Sequence, residues 1–410
     1  MNKRLSSPLC LAFGLLVCIS CNARVGIHDS LSTETRANEP ADTAVITGDA
    51  RTDLYYPLLQ GQRVAVFGNH TALLPSGEHL LDRLLRDSIQ VTAAFSPEHG
   101  FRGTADAGEH VSSGIDAQTG IPILSLYDGG NNRPSASSMQ KFDVLLVDIQ
   151  DVGLRFYTYY ITMCRLIQAC ADYDKQVIIL DRPNPNGHLV DGPILDMKYK
   201  SGVGWLPIPV MHGMTLGELA QMAVGKGWID TKRACKLTVI PCQGYTHHTL
   251  CDIQIPPSPN LPNLRAIYLY PSLCYFEATP VSVGRGTDYP FQIYGHPRMK
   301  NRTFSFTPES RVGAKNPPML GKLCQGVDLT VMSADELAYK GIDLTYLIDA
   351  YHDLAMGDKF FSDFFEKLIG VSWVRSMIEK GSSAADIRAL WQKDVEQFKE
   401  DRKPYLLYEE

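Results

Sequence analysis

Polar and charged side chains follow the short apolar segments of this 410-residue chain. Among them, Glu98 is placed on a loop stiffened by Pro97 and beside His99. A carboxyl group that is partly withdrawn from water keeps its proton close to neutral pH and can serve as an acid. We therefore expect Glu98 to be a proton donor. The side chains that follow the strand-like segments and could do chemistry are Asn69, His70, Glu98, His99, Asp148, Asp151, Arg182 and Asn184.

The segments that must position these side chains are five apolar runs. Continuous apolar runs of this length are typical of strands buried on both faces of a parallel sheet. Helix-like segments at 77–88 and 156–173 lie between them, and this alternation predicts an α/β fold, a Rossmann-like doubly wound parallel sheet over residues 51–230. The polar loops would then meet at the carboxyl edge of the sheet, where such sheets bind ligands. The runs cover residues 63–67, 91–95, 121–126, 142–147 and 176–180.

The second half of the chain has a different composition. Residues 231–300 are rich in proline and glycine, and we expect ordered loops there rather than regular sheet. From Ser333, which opens a capping box with Glu336, the pattern becomes helical. We expect residues 231–410 to form a second, smaller, mixed α+β domain that contributes to a cleft.

The N-terminal segment resembles a bacterial lipoprotein signal. A basic start, a short apolar run and a small residue before Cys21 are typical of export signals of this kind. We expect residues 1–20 to be a signal peptide, Cys21 to carry a lipid, and residues 21–50 to be a flexible tether. This predicts a protein anchored in a membrane of the cell envelope, as a periplasmic or outer-membrane lipoprotein.

Composition and motifs exclude several classes of partner. A net charge of −6 without a Lys/Arg block argues against nucleic acid. Neither a nucleotide-binding glycine loop nor a Gly-x-Ser-x-Gly elbow is present, so we expect no cofactor and no serine hydrolase. Cys242, His247, His248 and Cys251 match no standard zinc spacing, and we expect no metal.

Several longer motifs then point to a family. The runs FSPEHGFRG (95–103), DVLLVDIQDVGLRFYTYYITM (143–163), LDRPNPNG (180–187), HGMTLGELA (212–220) and PPSPNLP (256–262) resemble the exo-β-N-acetylmuramidase (NamZ-type) family. The resemblance covers roughly residues 51–410 and implies a Rossmann-like domain, a smaller C-terminal domain and a cleft between them. It also implies a glycosidase that releases terminal N-acetylmuramic acid from the non-reducing end of peptidoglycan fragments, during cell-wall turnover.

Glycoside cleavage needs an acid for the leaving oxygen and a group that stabilises the oxocarbenium-like centre. Glu98 is the expected acid, with His99 beside it, while Asp148 and Asp151 are candidates for the second group. Glu109 and Glu277 are further candidates for that group. An enzyme carboxylate, an activated water and the acetamido group of the sugar itself all remain open as that second group. Asp148 has a structural alternative, in which it pairs with Arg155 or Arg182.

Muramic acid carries a carboxylate, which arginine binds with two parallel hydrogen bonds. We expect the motif arginines to supply this contact, and the tyrosines beside Arg155 to stack on a sugar face, although one of the two could be core. The expected substrate-binding residues are Asn69, His70, Arg102, Glu109, Arg155, Tyr157, Tyr159, Arg182, Asn184, His212, Glu277, Arg285 and Thr287.

Two other functions are compatible with parts of this pattern. A non-catalytic lipoprotein that binds muropeptides would keep the arginines and tyrosines but would not need Glu98. A hydrolase of phosphate or acyl substrates would need a nucleophile elbow, a phosphate loop or metal ligands, which the sequence lacks. We therefore expect an exo-acting muramidase.

Overall fold

A parallel sheet forms the centre of the molecule, as the apolar runs predict. The computed structural model describes residues 44–97, 100–102, 114–126 and 133–410. Within these residues the main sheet has seven strands in the order β3-β4-β2-β1-β5-β6-β7. The strands are β1 (Val64–Gly68), β2 (Val91–Phe95), β3 (Gly114–Ile115), β4 (Pro122–Leu124), β5 (Val144–Asp148), β6 (Gln176–Leu180) and β7 (Lys236–Ile240).

The strand order is that of a Rossmann-like sheet with one added edge strand. All neighbouring strands are parallel except β3, which pairs antiparallel with β4. The chain builds outward from β1 through β2 to β4, then returns to pair β5 on the other side of β1. The order therefore reverses between β1 and β5, and the loops that follow these strands flank the ligand crevice of this architecture.

Both faces of this sheet are covered, which is why its strands are apolar throughout. Ala65 and Phe67 of β1 point into one core cluster, whereas Val64 and Val66 point into another on the opposite face. The helices of the first part are α1 (Thr52–Leu59), α2 (Leu80–Arg86), α3 (Ala136–Met139), α4 (Tyr159–Asp172) and α5 (Leu216–Gly225). This confirms the doubly wound α/β expectation.

The C-terminal part adds helices around a small antiparallel sheet. Its three strands lie in the order β8-β10-β9. The strands are β8 (Ile293–His296), β9 (Phe304–Phe306) and β10 (Cys324–Asp328), and the helices are α6 (Leu264–Leu273), α7 (Ala334–Ala338), α8 (Thr345–Leu354), α9 (Phe364–Ile369), α10 (Trp373–Glu379) and α11 (Ala384–Arg402). The capping box expected at Ser333 is present at the start of α7.

The expectation of loops over residues 231–300 is wrong for three segments, one of which is β8 of the small sheet. Lys236–Ile240 forms β7, which pairs parallel with β6 and so extends the main sheet beyond residue 230. Leu264–Leu273 forms α6 even though Pro271 lies inside it. Pro271 lies in the last turn of this helix, so its missing backbone N–H affects few helical residues.

Residues 44–410 form one compact unit. Among the residues that the structure describes, no helix has both the length and the apolar character needed to cross a membrane.

Candidate active site

The loops after β1 and β5 are joined directly at the point where the strand order reverses. The Thr71 hydroxyl accepts the backbone N–H of Gln150 at 3.0 Å and donates to Asn69 Oδ1 at 2.6 Å. Asn69 is fully buried, and its Nδ2 donates to the Tyr159 hydroxyl at 3.0 Å. Asn69 therefore holds three elements together at the crevice, and its own amide is committed to this network.

Asp151, on the loop after β5, has a buried carboxyl group of which only one oxygen is hydrogen-bonded among the described residues. Its Oδ1 accepts the Gly153 N–H at 2.7 Å, while its Oδ2 is buried with no hydrogen-bond partner among the described residues. Burial raises the pKa of Asp151 to about 7, and the backbone N–H groups of Gly153, Val152 and Tyr160 oppose this rise. A buried oxygen without a donor is rare in folded proteins, and at the ligand edge of such a sheet it makes Asp151 a candidate functional residue.

The loop after β6 fixes the backbone around Asp151. Asn186 Nδ2 donates to the Val152 carbonyl at 2.8 Å, and Gln150 Nε2 donates to the Pro183 carbonyl at 2.7 Å. Gly153 has φ +72°, and a Cβ there would lie 2.2 Å from the amide of Asn184. Only glycine fits this position, because it combines a left-handed backbone with close contact to a neighbouring side chain.

Tyrosines line the site next to Asp151. The hydroxyls of Tyr157 and Tyr159 both donate to the Pro257 carbonyl, at 2.9 and 3.1 Å, and their ring centroids are 4.6 Å apart. The neighbouring Pro256 carbonyl lies 2.9 Å from His70 Nε2. The proline-rich segment 256–262 therefore packs directly on the carboxyl edge of the sheet, and both tyrosines are largely buried.

An aromatic chain connects this edge to the C-terminal part. Tyr157 contacts Tyr270, with ring centroids 6.4 Å apart, and Tyr270 contacts Phe291 at 4.7 Å. The Arg285 guanidinium lies 5.2 Å from the centre of the Phe291 ring and pairs with Glu277 at 2.6 Å. Arg285 Nε is buried with no partner among the described residues. Arg285 and Glu277, distant from the strand loops in sequence, thus reach the same region.

Arg182 and Asp148 form a buried ion pair, which is the structural alternative left open by the sequence. Arg182 Nε and Nη2 donate to the two oxygens of Asp148 at 2.5 and 3.0 Å, and Nη2 also donates to Asp49 at 2.9 Å. Burial raises the pKa of the Asp148 carboxyl, and the Arg182 guanidinium opposes that rise. Both oxygens of Asp148 and two of the three guanidinium nitrogens of Arg182 are thus bonded within the protein.

Arg155 and Arg102 also have partners within the protein. Arg155 is fully buried, and its guanidinium donates to four backbone carbonyl oxygens, those of Pro193, Ile208, Leu368 and Ile369. Arg155 is a structural residue, which corrects the expectation that it binds substrate. Arg102 pairs with Asp82 at 3.1 Å and with Asp116 at 2.8 Å.

Three further residues expected to bind substrate have local roles. Asn184 donates from Nδ2 to the Met214 carbonyl at 2.9 Å and accepts the Asn186 N–H at 2.8 Å. His212 accepts the Met214 N–H at 3.2 Å, and burial lowers its pKa to about 3, so it is neutral at pH 7. The Thr287 hydroxyl donates to the Gly284 carbonyl at 2.7 Å within a turn.

Glu98, His99, Glu109 and Cys21 lie outside the described residues. Their expected roles as acid, neighbour of the acid, substrate ligand and lipidation site therefore stay predictions. Strand β2 ends at Phe95, shortly before Glu98 in the sequence. It lies next to β1, on the side opposite β5.

Two members of the cysteine and histidine cluster, Cys242 and His247, belong to a buried polar network, whereas His248 is exposed. His247 Nε2 bonds Glu218 at 3.0 Å, and Cys242 donates to the Asp181 carbonyl. No group of three metal-ligating side chains occurs within the part of the chain that the structure describes.

Sequence reasoning missed Tyr270 and Phe291, which connect Arg285 to the strand edge. Both are aromatic residues of the C-terminal part and carry no local signal of function, since aromatic residues at such positions are usually core. Their relation to the site depends on the contacts of Tyr270 with Phe291 and with the loop after β5, which no sequence motif predicts.

Comparisons with known proteins agree with this architecture. Residues 64–265 match the family model "Exo-beta-N-acetylmuramidase NamZ, N-terminal", and residues 268–408 match its C-terminal counterpart. A peptidoglycan β-N-acetylmuramidase NamZ of Bacillus subtilis (strain 168) is 36% identical over 399 residues, which cover 92% of this chain and 95% of that protein.

Two crystal structures of DUF1343-family proteins from Bacteroides fragilis NCTC 9343 are also similar. One is 60% identical with a TM-score of 0.84, covering 90% of this chain and all of the other. The second is 27% identical with a TM-score of 0.75, covering 89% and 99%. The fold and the comparisons define an enzyme of the glycosidase class. The chain belongs to the exo-β-N-acetylmuramidase NamZ family.

Proposed function

We propose that this protein is an exo-acting glycosidase that releases terminal N-acetylmuramic acid from the non-reducing end of peptidoglycan fragments. Asp151 is the observation that carries this proposal. A buried carboxyl group beside two tyrosines, at the crevice between β1 and β5, has one oxygen held by Gly153 and the other without a partner among the described residues. A sugar with an acetamido group offers the missing N–H donor.

Glu98 is the acid in this proposal, and Asp151 is the second carboxyl group. Glu98 follows β2 and Asp151 follows β5, and these strands are separated by β1 alone. Two strand spacings amount to about 10 Å, which leaves room for a sugar between groups carried by the two loops. Paired carboxyl groups of this kind flank the scissile bond in most glycosidases.

Arg285 is the residue that we propose binds the lactyl carboxylate of muramic acid. Glu277 satisfies part of its guanidinium, while Nε is buried without an acceptor in the described part of the chain. A carboxylate would complete this set of hydrogen bonds. Arg285 therefore takes the role for which four arginines were candidates.

The enzyme assay that tests this function uses a chromogenic β-muramide and the disaccharide MurNAc-GlcNAc. The full-length chain should release N-acetylmuramic acid from both, and no release from folded protein would contradict the proposal. Glu98→Gln should lower kcat by about 10²–10⁴-fold while substrate binding is kept. Glu379→Gln, on an exposed site of α10, is the control and should behave as wild type. A binding protein without activity would show no difference between these variants.

We also propose that the protein works in the cell envelope, attached through a lipid on Cys21. The support is the basic and apolar segment before Cys21 together with the polar residues after it. Cys21→Ala should move the protein from the membrane fraction to the soluble fraction and abolish labelling by a radioactive fatty acid. Unchanged fractionation of that variant would contradict the anchor.

A further inference from the structure

A basic pocket lies between α9, α10 and the segment around Lys198. Its volume is about 360 Å³, and none of its lining residues comes from the loops that carry the candidate active site. Four basic and two acidic side chains line it, although the protein as a whole carries a net charge of −6. The charged lining residues are Lys198, Lys200, Lys367, Arg375, Asp363 and Glu366.

Two of these cations have no carboxylate partner within the described residues. Lys198 pairs with Asp196 at 2.8 Å, and Arg375 pairs with Glu366 at 2.7 Å. In contrast, the Lys200 ammonium lies 4.2 Å from the centre of the Trp205 ring, and no ion pair is formed by Lys367 in the described part of the chain. Asp363, the second acidic side chain of the lining, forms no ion pair within the described residues either, so the pocket holds two unpaired ammonium groups and one unpaired carboxylate.

The walls of the pocket are fixed by contacts across the fold. The Asp196 N–H donates to the Gly370 carbonyl at 2.9 Å, which attaches the Lys198–Lys200 segment to the junction of α9 and α10. Arg155 holds the carbonyls of Leu368 and Ile369, the residues that follow Lys367. A site whose walls are already in place loses less entropy when a ligand binds.

We propose that this pocket binds carboxylate groups of a peptidoglycan fragment beyond its terminal sugar. This inference rests on the proposed function. Glycan strands of this kind carry negative charge on lactyl groups or on attached peptides, and an acidic protein repels them. A local excess of cations offsets this repulsion for a fragment long enough to contact both places. None of the lining residues belongs to the loops of the candidate active site, so a single sugar bound by those loops does not contact the lining.

The test compares substrates of different length. Lys200→Gln combined with Lys367→Gln should raise KM about 3- to 10-fold on glycan oligomers, because each exposed charge contact contributes modestly. The same variant should show unchanged kcat and KM on the small chromogenic muramide. The difference should shrink in 0.5 M salt (about 4 Å of screening length). Lys141→Gln with Lys393→Gln is the control, since both lysines are exposed and the charge change is the same.

Two comparisons identify the source of the carboxylate and the role of charge. An effect on peptide-free and peptide-bearing oligomers alike indicates lactyl groups, and an effect on peptide-bearing oligomers alone indicates the peptides. Lys200→Arg with Lys367→Arg keeps both charges and should restore the wild-type KM. Equal KM values for the pocket and control variants on every oligomer would overturn the proposal.

Failure of the proposed function gives a different result. In that case the wild-type protein would release no sugar from the small muramide. Calorimetric titration of the wild-type protein with the oligomers then still measures the pocket, because binding needs no turnover. Wild-type binding that the glutamine pair does not weaken would reject the pocket on its own.

Discussion

Asp151 combines two properties that a purely structural carboxyl group rarely combines. Its charge is disfavoured by burial, which raises the pKa to about 7, and one of its oxygens has no donor within the described residues. Such a group lowers the stability of the free enzyme at the pH where the carboxylate forms. Groups with these properties are candidates for a role in catalysis.

Asp151→Asn should therefore change stability and activity in opposite directions. The folded protein holds the Asp151 proton more tightly than the unfolded chain, so this group stabilises the fold at acid pH, and the contribution is lost as pH rises toward 7. Relative to wild type, Asp151→Asn should gain free energy of unfolding between pH 5 and pH 8, by about 1–3 kcal/mol. Its kcat should fall at least about 100-fold.

Denaturant unfolding of wild type and Asp151→Asn at pH 5 and at pH 8 measures the predicted gain in the free energy of unfolding. A stability difference between the two proteins that is the same at pH 5 and pH 8 would show that Asp151 does not titrate in this range. The kcat of wild type should rise with pH through about 7 if the carboxylate is the active form.

Gly153 offers a second test at the residue scale. Gly153→Ala brings a Cβ to 2.2 Å from Asn184, in addition to the strain of φ +72°. Gly77→Ala is a matched control, since φ there is +80° and nothing lies within 4 Å of the added Cβ. Both changes carry the backbone cost of about 1 kcal/mol, but Gly153→Ala should cost clearly more and lose activity.

Thermal unfolding and the muramide assay distinguish the two glycine variants. Gly77→Ala should keep wild-type kcat. If Gly153→Ala were as active and as stable as Gly77→Ala, the close packing of Asn184 against the Asp151 loop would not matter to the site.

At the scale of elements, Arg155 joins the loop after β5 to the end of α9. A buried guanidinium without an acidic partner loses its hydration, and burial lowers the pKa of Arg155 to about 10. Four backbone carbonyls compensate for this loss by accepting its N–H groups. The segment that carries Asp151 and Tyr157 is thereby attached to a helix more than 200 residues away.

Arg155→Met should destabilise the protein by at least about 3 kcal/mol, because four buried carbonyls lose their donor. The control is Arg233→Met, an exposed change that should stay within about 0.5 kcal/mol. Urea unfolding followed by circular dichroism measures both. Similar midpoints for the two variants would show that the carbonyls are satisfied without Arg155.

At the scale of the whole molecule, the last residues of the chain complete a buried hydrogen-bond network around Asp181, the residue that follows β6. The Tyr408 hydroxyl donates to Asp181 Oδ2 at 2.6 Å and accepts the Cys242 N–H at 2.9 Å. Glu218 accepts the Leu407 N–H at 2.8 Å. The C-terminus is thus part of the support of β6, whose following loop holds the backbone around Asp151.

Tyr408→Phe should cost about 1–3 kcal/mol of unfolding free energy, because a buried N–H and a carboxylate lose their partner. Burial raises the pKa of Asp181 to about 6, and the Tyr408 hydrogen bond works against that rise by favouring the carboxylate. The penalty should therefore be larger at pH 8 than at pH 5. Tyr339→Phe, at an exposed position, is the control, and equal effects of the two changes would contradict this role.

The amino-acid sequence by itself determined strands β1, β2, β4, β5 and β6 and the sheet edge at which the loops after them meet. Apolar runs of strand length fix a buried parallel sheet, and the polar residues after each run must collect at its carboxyl edge, because parallel strands end together. The sequence motifs likewise contain Asp151, Tyr157 and Arg285 as candidates. These features depend on near neighbours in the chain, which is why they can be read without a structure.

Tertiary structure alone decided which candidate side chains have hydrogen-bond partners within the protein and which do not. Arg155, Arg182 and Asp148 have the same residue types as binding groups, but their partners come from distant segments and satisfy them. The position of β7 in the sheet and the contacts that connect Tyr270 to Arg285 also depend on long-range packing. A charged side chain can bind a ligand only if donors and acceptors of the protein do not already occupy it. Long-range packing decides which of these groups surround it, and no local pattern of residues predicts that packing.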